Sequence, residues 1–203
     1  MERLARRIVN HWHKKGYIAQ DEIEWCLYGL LNRLTTASTA IVIFAVGCLV
    51  SSWSNTLLFL FCVIFLRKYS NGYHASSFGK CFCITLTVST LSLIAAPYVN
   101  KVLVAILLII SSIVIVKYAP VNSDALHLNG EEMRAMRRET RINLLILCMA
   151  EVAFLAIDSA KANCIVLAIA VVAMLIIAAK VSEKLPKERI PQDEKWKEKR
   201  KSP

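Results

Sequence analysis

Five stretches of this 203-residue chain are almost free of charge, and they limit the fold more than any other feature. Thr35–Leu66, Cys81–Asn100 and Val102–Val116 contain no Asp, Glu, Lys or Arg, and Ile142–Ile157 and Cys164–Ala179 contain only Glu151 between them. About 20 apolar helical residues cross the hydrocarbon core, so runs this long and this poor in charge predict membrane spans. The composition is 56% hydrophobic with a mean hydropathy of +0.49, above that of an ordinary soluble domain. A helix satisfies its own backbone in lipid. The expectation is an all-α, polytopic membrane protein with about six transmembrane helices, near 36–53, 55–72, 81–99, 102–117, 141–158 and 163–180.

Charge placement gives an expected topology. Six spans put both termini on one side, and that side holds 23 of the 25 Lys and Arg residues, leaving Lys101 and Lys161 on the other. The positive-inside rule makes the rich side the cytoplasm. The expected location is therefore the cell membrane, multi-pass, with both termini and the 67–80 hinge cytoplasmic. Thr35–Leu66 is short for two crossings. Either the first span starts earlier, using Trp25–Leu31, or the second runs past Arg67 toward Tyr73. Trp53, Tyr98 and Tyr118 sit where interfacial anchors belong. The opening residues, Met1 to Arg7, run into polar sequence rather than an early apolar block, so the first spans are expected to direct insertion.

The polar segments differ in kind. Leu4, Ile8 and Trp12 recur at four-residue spacing among Arg3, Arg6, Arg7, Lys14 and Lys15, predicting an N-terminal basic amphipathic helix on the membrane within a juxtamembrane segment 1–33. Residues 119–141 form the longest internal loop, with a turn at Asn129-Gly130 and a short charged helix in its latter half. Residues 181–203 carry Pro186 and Pro191 and mixed charge without apolar periodicity, which reads as a flexible cytoplasmic tail. Residues 1–203 read as a single domain. The net charge of +10 flanks the spans, so it suits anionic membrane lipids or an acidic peptide rather than nucleic acid.

The chemistry concentrates in the short polar hinge from Arg67 to Lys80. His74, a candidate general base, and Cys81, a candidate nucleophile, stand seven residues apart. On an unbroken helix they would lie about 10 Å apart along the axis, too far for a thiolate–imidazole pair. The backbone must double back, and Asn71, Gly72 and Gly79 suit such a turn. Cys81 is expected in the first turn of a helix, where the dipole and Lys80 favour thiolate. Cys83 points away from it and is expected to pack.

The other cysteines read differently. Cys48, Cys62, Cys148 and Cys164 lie within apolar runs and are expected to be small buried hydrophobes, while Cys26 sits in half-polar sequence. Cys81-x-Cys83 lacks a second ligand pair, so no metal site is expected, and no cofactor. Structural disulfides are not expected on a cytoplasmic face.

The hinge Arg67…Asn71-Gly72-Tyr73-His74…Cys81 resembles the signature of the accessory gene regulator protein B family (AgrB), membrane-embedded cysteine endopeptidases of Gram-positive quorum sensing. That signature joins an arginine, a Gly-Gly-x-His element and a cysteine seven residues after the histidine. Tyr28-Gly29-Leu30 and Ala119-Pro120-Val121 extend the resemblance over nearly the whole chain. Asn71 replaces the first glycine; asparagine tolerates left-handed backbone better than other non-glycine residues. The resemblance implies a substrate: a short propeptide with an amphipathic helix at its start and an acidic C-terminal tail. It implies that Cys81 and His74 cleave off the tail through an acyl-thioester, which closes to a thiolactone or lactone. It assigns supporting roles to Arg67 and Gly72, beside Asn71. Asn71, Asn122 and Asp124 are alternative orienters of His74. A symmetric homodimer is the default assembly.

Glu151 is the one charge inside a predicted span, and an intramembrane carboxylate is a functional candidate. It can pair with Arg67, line a peptide path, or stay protonated. Two other classes of function follow from the same residues. One is a small membrane transporter or peptide exporter without proteolytic activity; the other is a membrane scaffold in which His74 and Cys81 are incidental.

Overall fold

The computed structural model describes residues 2–70, 78–121 and 130–184; the side chains of Asp21, Tyr28, Asn32, residues 78–81 and residues 182–184 fall outside the description. Among the described residues the chain is helical throughout, with no strand. The helices are α1 Glu2–Lys14, α2 Ile23–Val50, α3 Trp53–Ser70, α4 Phe78–Ala95, α5 Lys101–Tyr118, α6 Gly130–Ile157 and α7 Ser159–Lys184. Helices α2 to α7 run up and down, joined at one end by the turns at 51–52, 96–100 and 158. The end of α3, the start of α4, the end of α5 and the starts of α2 and α6 lie at the opposite end.

Local chemistry sets the turns at the first end. Asn100 Oδ1 accepts from Leu103 N–H at 2.8 Å and caps α5. Asp158 Oδ1 accepts from Ala160 and Lys161 N–H and caps α7, while its Oδ2 meets Lys161 Nζ at 2.7 Å. Such side chains replace helical partners that the first turn lacks. Asn163 Nδ2 donates to the carbonyls of Ala96 (2.8 Å) and Val99 (3.1 Å), tying α7 to the α4–α5 turn.

The centre of the bundle is α7, which packs against α3, α4, α5 and α6. Its residues are apolar on every side, as a fully surrounded helix requires. Cys164, Ile165, Ala168, Ile169, Val172 and Ile176 are all buried. Repeated alanines let neighbouring backbones approach, so packing contacts supply the association energy that the hydrophobic effect cannot supply in lipid. Exposed apolar side chains such as Leu49, Phe61, Ile109, Ile113, Leu145 and Val152 cover the outside of the bundle. In water this would be an unusable surface; in a bilayer it is the expected one.

Among the described residues four helices are long and apolar enough to cross a membrane: Ile23–Val50, Lys101–Tyr118, Gly130–Ile157 and Ser159–Val181. The all-α, multi-span expectation holds, while four of the about six expected spans meet that length and hydropathy. The apolar stretch in α4, Phe82–Tyr98, is shorter, and α3 spends its ends on Ser54-Asn55 and Arg67-Lys68. The first span starts well before residue 36, at Ile23, and α3 also runs past Arg67 to Ser70. Both ways of lengthening the short Thr35–Leu66 pair are used. Trp53, Tyr98 and Tyr118 stand exposed at helix ends.

Two further differences have physical causes. The charged helix expected in the latter half of the 119–141 loop is the first part of α6, continuous with the span that follows. No Gly or Pro after Gly130 interrupts it. In α1 the buried pair is Ala5 and Val9, packed with Leu27 of α2, while Leu4 and Trp12 remain exposed. Small residues permit the helix contact and leave the larger apolar edge free.

Candidate functional site

The site is framed by the end of α3. Leu66 and Ser70 are fully buried there, with Arg67 half-buried between them and held by partners of its own. Two hydrogen bonds from distant sequence fix this last turn. Asn143 of α6 donates through Nδ2 to the Phe65 carbonyl at 3.0 Å. The backbone N–H of Val121 donates to the Ser70 carbonyl at 3.2 Å. The second bond satisfies one of the carbonyls that a helix C-terminus leaves open.

Ala119, Pro120 and Val121 are buried against this turn, with a cis peptide between Ala119 and Pro120. Two segments singled out in the sequence, the start of the hinge and the start of the central loop, thus meet in space. The cause is topological, since α3 and α5 end on the same side of α7. Thr140 of α6 is buried in the turn before Asn143, its hydroxyl donating to the Met136 carbonyl at 2.8 Å.

From Ser70 the chain enters residues 71–77. His74, Asn71 and Gly72 lie in that segment and outside the described residues, as do Asn122 and Asp124. The described chain resumes at Phe78, so Cys81 lies in the first turn of α4. Its register positions one and two turns on are Thr85 and Ser89, both buried within the bundle. Cys83 does not pack as expected but is exposed, since it sits on the outer side of α4. Among the remaining cysteines, Cys62 and Cys164 are buried, Cys26 and Cys148 are intermediate and Cys48 is exposed. All are free thiols. Cys48 departs from the expectation because only one side of α2 meets protein. Among the described residues no group of three or more His, Cys, Asp or Glu side chains is placed to hold a metal.

Glu151 is fully buried in α6, and among the described residues neither carboxyl oxygen has a hydrogen-bond partner. It does not pair with Arg67.

The model of the family described as Accessory gene regulator B matches residues 2–201. The chain belongs to the AgrB family. A curated AgrB-like protein of Clostridium perfringens (strain SM101 / Type A) is 25% identical over 154 residues, covering 71% of this chain and 72% of that protein. No solved structure matches the chain. Membership carries a role in the accessory gene regulator system, the processing of quorum-sensing peptides. For an AgrB protein, the end of α3 and the start of α4 are therefore the parts to examine, because they flank the His74 segment.

Sequence reading missed Asn143 and the bond from Val121 to Ser70. A signal existed for the first: asparagine stands at the head of an apolar run, where a polar side chain needs a partner. Nothing local marks the second, which joins backbone atoms 51 residues apart.

Proposed function

We propose that this protein is a membrane cysteine endopeptidase that removes the acidic C-terminal tail of a quorum-sensing propeptide and supports cyclisation of the remainder. The supporting observation is the fixed exit of α3. Bonds from Asn143 and Val121 hold the turn from which the His74 segment leaves. The chain re-enters helix three residues before Cys81. A base on a short segment that leaves an anchored helix end and a nucleophile in the first turn of the next helix suit the doubling back that their chemistry demands.

The Cys81 thiol gives its proton to His74, and the thiolate attacks the carbonyl carbon of the bond before the acidic tail. The tetrahedral intermediate collapses as His74 returns the proton to the leaving amine. The products are a thioester on Cys81 and the free tail. A cysteine thiol or serine hydroxyl within the retained peptide then attacks the thioester, closing a thiolactone or lactone and restoring the Cys81 thiol. Thioester activation is kept through the transfer, so ring closure needs no ATP. In this reading Arg67 orients a tail carboxylate or the oxyanion, and Asn71-Gly72 allow the turn. The hinge faces the cytoplasm on the charge asymmetry.

Co-expression with the propeptide tests this reading. Cys81→Ser and His74→Ala are expected to abolish tail release while the protein still inserts in the membrane. Tail release by Cys81→Ala would end the proposal.

A further inference from the structure

The first three turns of α6 carry an arginine face. Arg134, Arg138 and Arg141 recur at spacings of four and three residues, with Arg137 on their flank, an arc of about 100°. All four are exposed. Among the described residues none of their guanidinium groups makes an ion pair. Glu132 and Glu139 lie off the arc, and Glu131 stands a turn beyond its outer end.

The same stripe continues down the helix with a change of chemistry. After Arg141 come Leu145, Met149 and Val152, again at spacings of four, four and three. Leu145 is 63% exposed, Met149 65% and Val152 63%. The buried residues of α6, Thr140, Asn143, Leu144, Leu147 and Glu151, lie on the other side. Arg134, Arg138 and Arg141 therefore stand above the lipid-facing side of the span, and Arg137 stands at the edge of that face, next to the side that packs on the bundle.

Height and chemistry identify the partner. Arg141 marks the last charge before the apolar run, and Arg138 and Arg137 lie about 4.5 and 6 Å further out. The interfacial layer on each side of a bilayer is about 5–7 Å thick. Arg134, about 10 Å out, can lay its stem back along the helix. All four are arginine, whose planar fork matches phosphate oxygens in a way that lysine does not.

The geometry points to an anionic-lipid site: Arg134, Arg137, Arg138 and Arg141 bind phospholipid phosphates of the adjoining leaflet along the outer face of α6. This goes beyond the peptidase reading and does not depend on it. A tethered acidic peptide would be better served by basic residues over the bundle, beside the end of α3.

The test uses the full chain reconstituted in phosphatidylcholine–phosphatidylglycerol vesicles, with spin-labelled lipids of each class reporting association by electron paramagnetic resonance. Wild type is expected to select phosphatidylglycerol. Arg134→Gln/Arg137→Gln/Arg138→Gln is expected to lose about half of that selectivity, and the triple Arg→Lys variant to fall between. Equal selectivity in wild type and the Gln variant overturns the proposal, as does no selectivity in wild type. It is also overturned if the Gln variant keeps its lipid selectivity but loses binding of a soluble oligoglutamate peptide. That outcome would assign the arginine face to a peptide.

Discussion

The side-chain amide of Asn143 on α6 donates to the carbonyl oxygen of Phe65 on α3, 78 residues earlier in the chain, at 3.0 Å. One turn further along α3, Ser70 receives the N–H of Val121. Together these bonds decide where the hinge leaves the bundle.

Asn143→Leu removes the donor while keeping the branched outline of the side chain, and Asn143→Ala removes it without adding volume. A hydrogen bond of this kind contributes about 0.6–1.7 kcal/mol in a membrane bundle. Thermal unfolding in detergent is expected to show a loss in that range. Asn143→Asp is expected to be worse, because a carboxylate oxygen then faces the Phe65 carbonyl oxygen. Under the peptidase reading, tail release falls in these variants, and more steeply than stability alone explains. Equal activity of Asn143→Leu and wild type would remove Asn143 from the positioning of the hinge.

Among the described residues Glu151 has no hydrogen-bond partner for either oxygen, and it is fully buried. An unsatisfied buried group is a cost, and replacing it with an apolar side chain of like size is often neutral or stabilising. Glu151→Met is expected to unfold at the same temperature as wild type or higher. Glu151→Lys, which forces an ammonium into that position, is expected to cost several kcal/mol. Melting temperatures of the two purified variants decide this, and a destabilised Glu151→Met would reveal a partner for the carboxyl.

Gly47 sets the closest approach of α2 to its neighbours. A Cβ there would collide with the Thr56 methyl and come within 2.9 Å of Leu93 Cδ1. Thr56 cannot turn away freely, since its hydroxyl donates to the Ser52 carbonyl at 3.0 Å. Gly47→Ala is expected to cost about 1–3 kcal/mol, as overpacking does elsewhere. Gly29, with nothing near its Cβ position, should accept alanine. Chemical denaturation of the two variants side by side tests the contrast.

Asp158 gives a pH dependence at the α6–α7 turn. The hydrogen bond from Lys161 Nζ, joined by the Lys161 and Ala160 N–H groups, holds its carboxyl below the ordinary aspartate value. The folded state therefore binds this proton less readily than the unfolded chain. The stabilisation is complete above the unfolded pKa of about 3.9 and disappears as the pH falls through the lower folded value. Asp158→Asn is expected to lower stability at neutral pH, where the carboxylate's contribution is complete, and to flatten that part of the acid limb, so that the two proteins converge at the acid end. Unfolding followed from pH 5 down to about pH 2 shows whether it does.

Part of this architecture is written in local composition. Charge-free runs announce helices in lipid because every residue of such a run must meet the same solvent. The arginine and lysine asymmetry, the amphipathic residues of α1 and the His74–Cys81 spacing are readable for the same reason: each depends on neighbours along the chain. Helix limits were less legible. The start of α2 at Ile23 and the fusion of charged and apolar halves in α6 reflect helix continuing through polar sequence that composition reads as loop.

What the sequence alone determined is the class of protein, and it offered the candidate residues His74 and Cys81. The tertiary structure decided which helix is central, that Val121 closes the end of α3, that Asn143 reaches Phe65 and that Glu151 has no hydrogen-bond partner among the described residues. These depend on separations of tens of residues and on the rotation of each helix about its axis. A bilayer presses every apolar face outward equally, so only side-chain packing and scarce interhelical hydrogen bonds fix which faces turn inward.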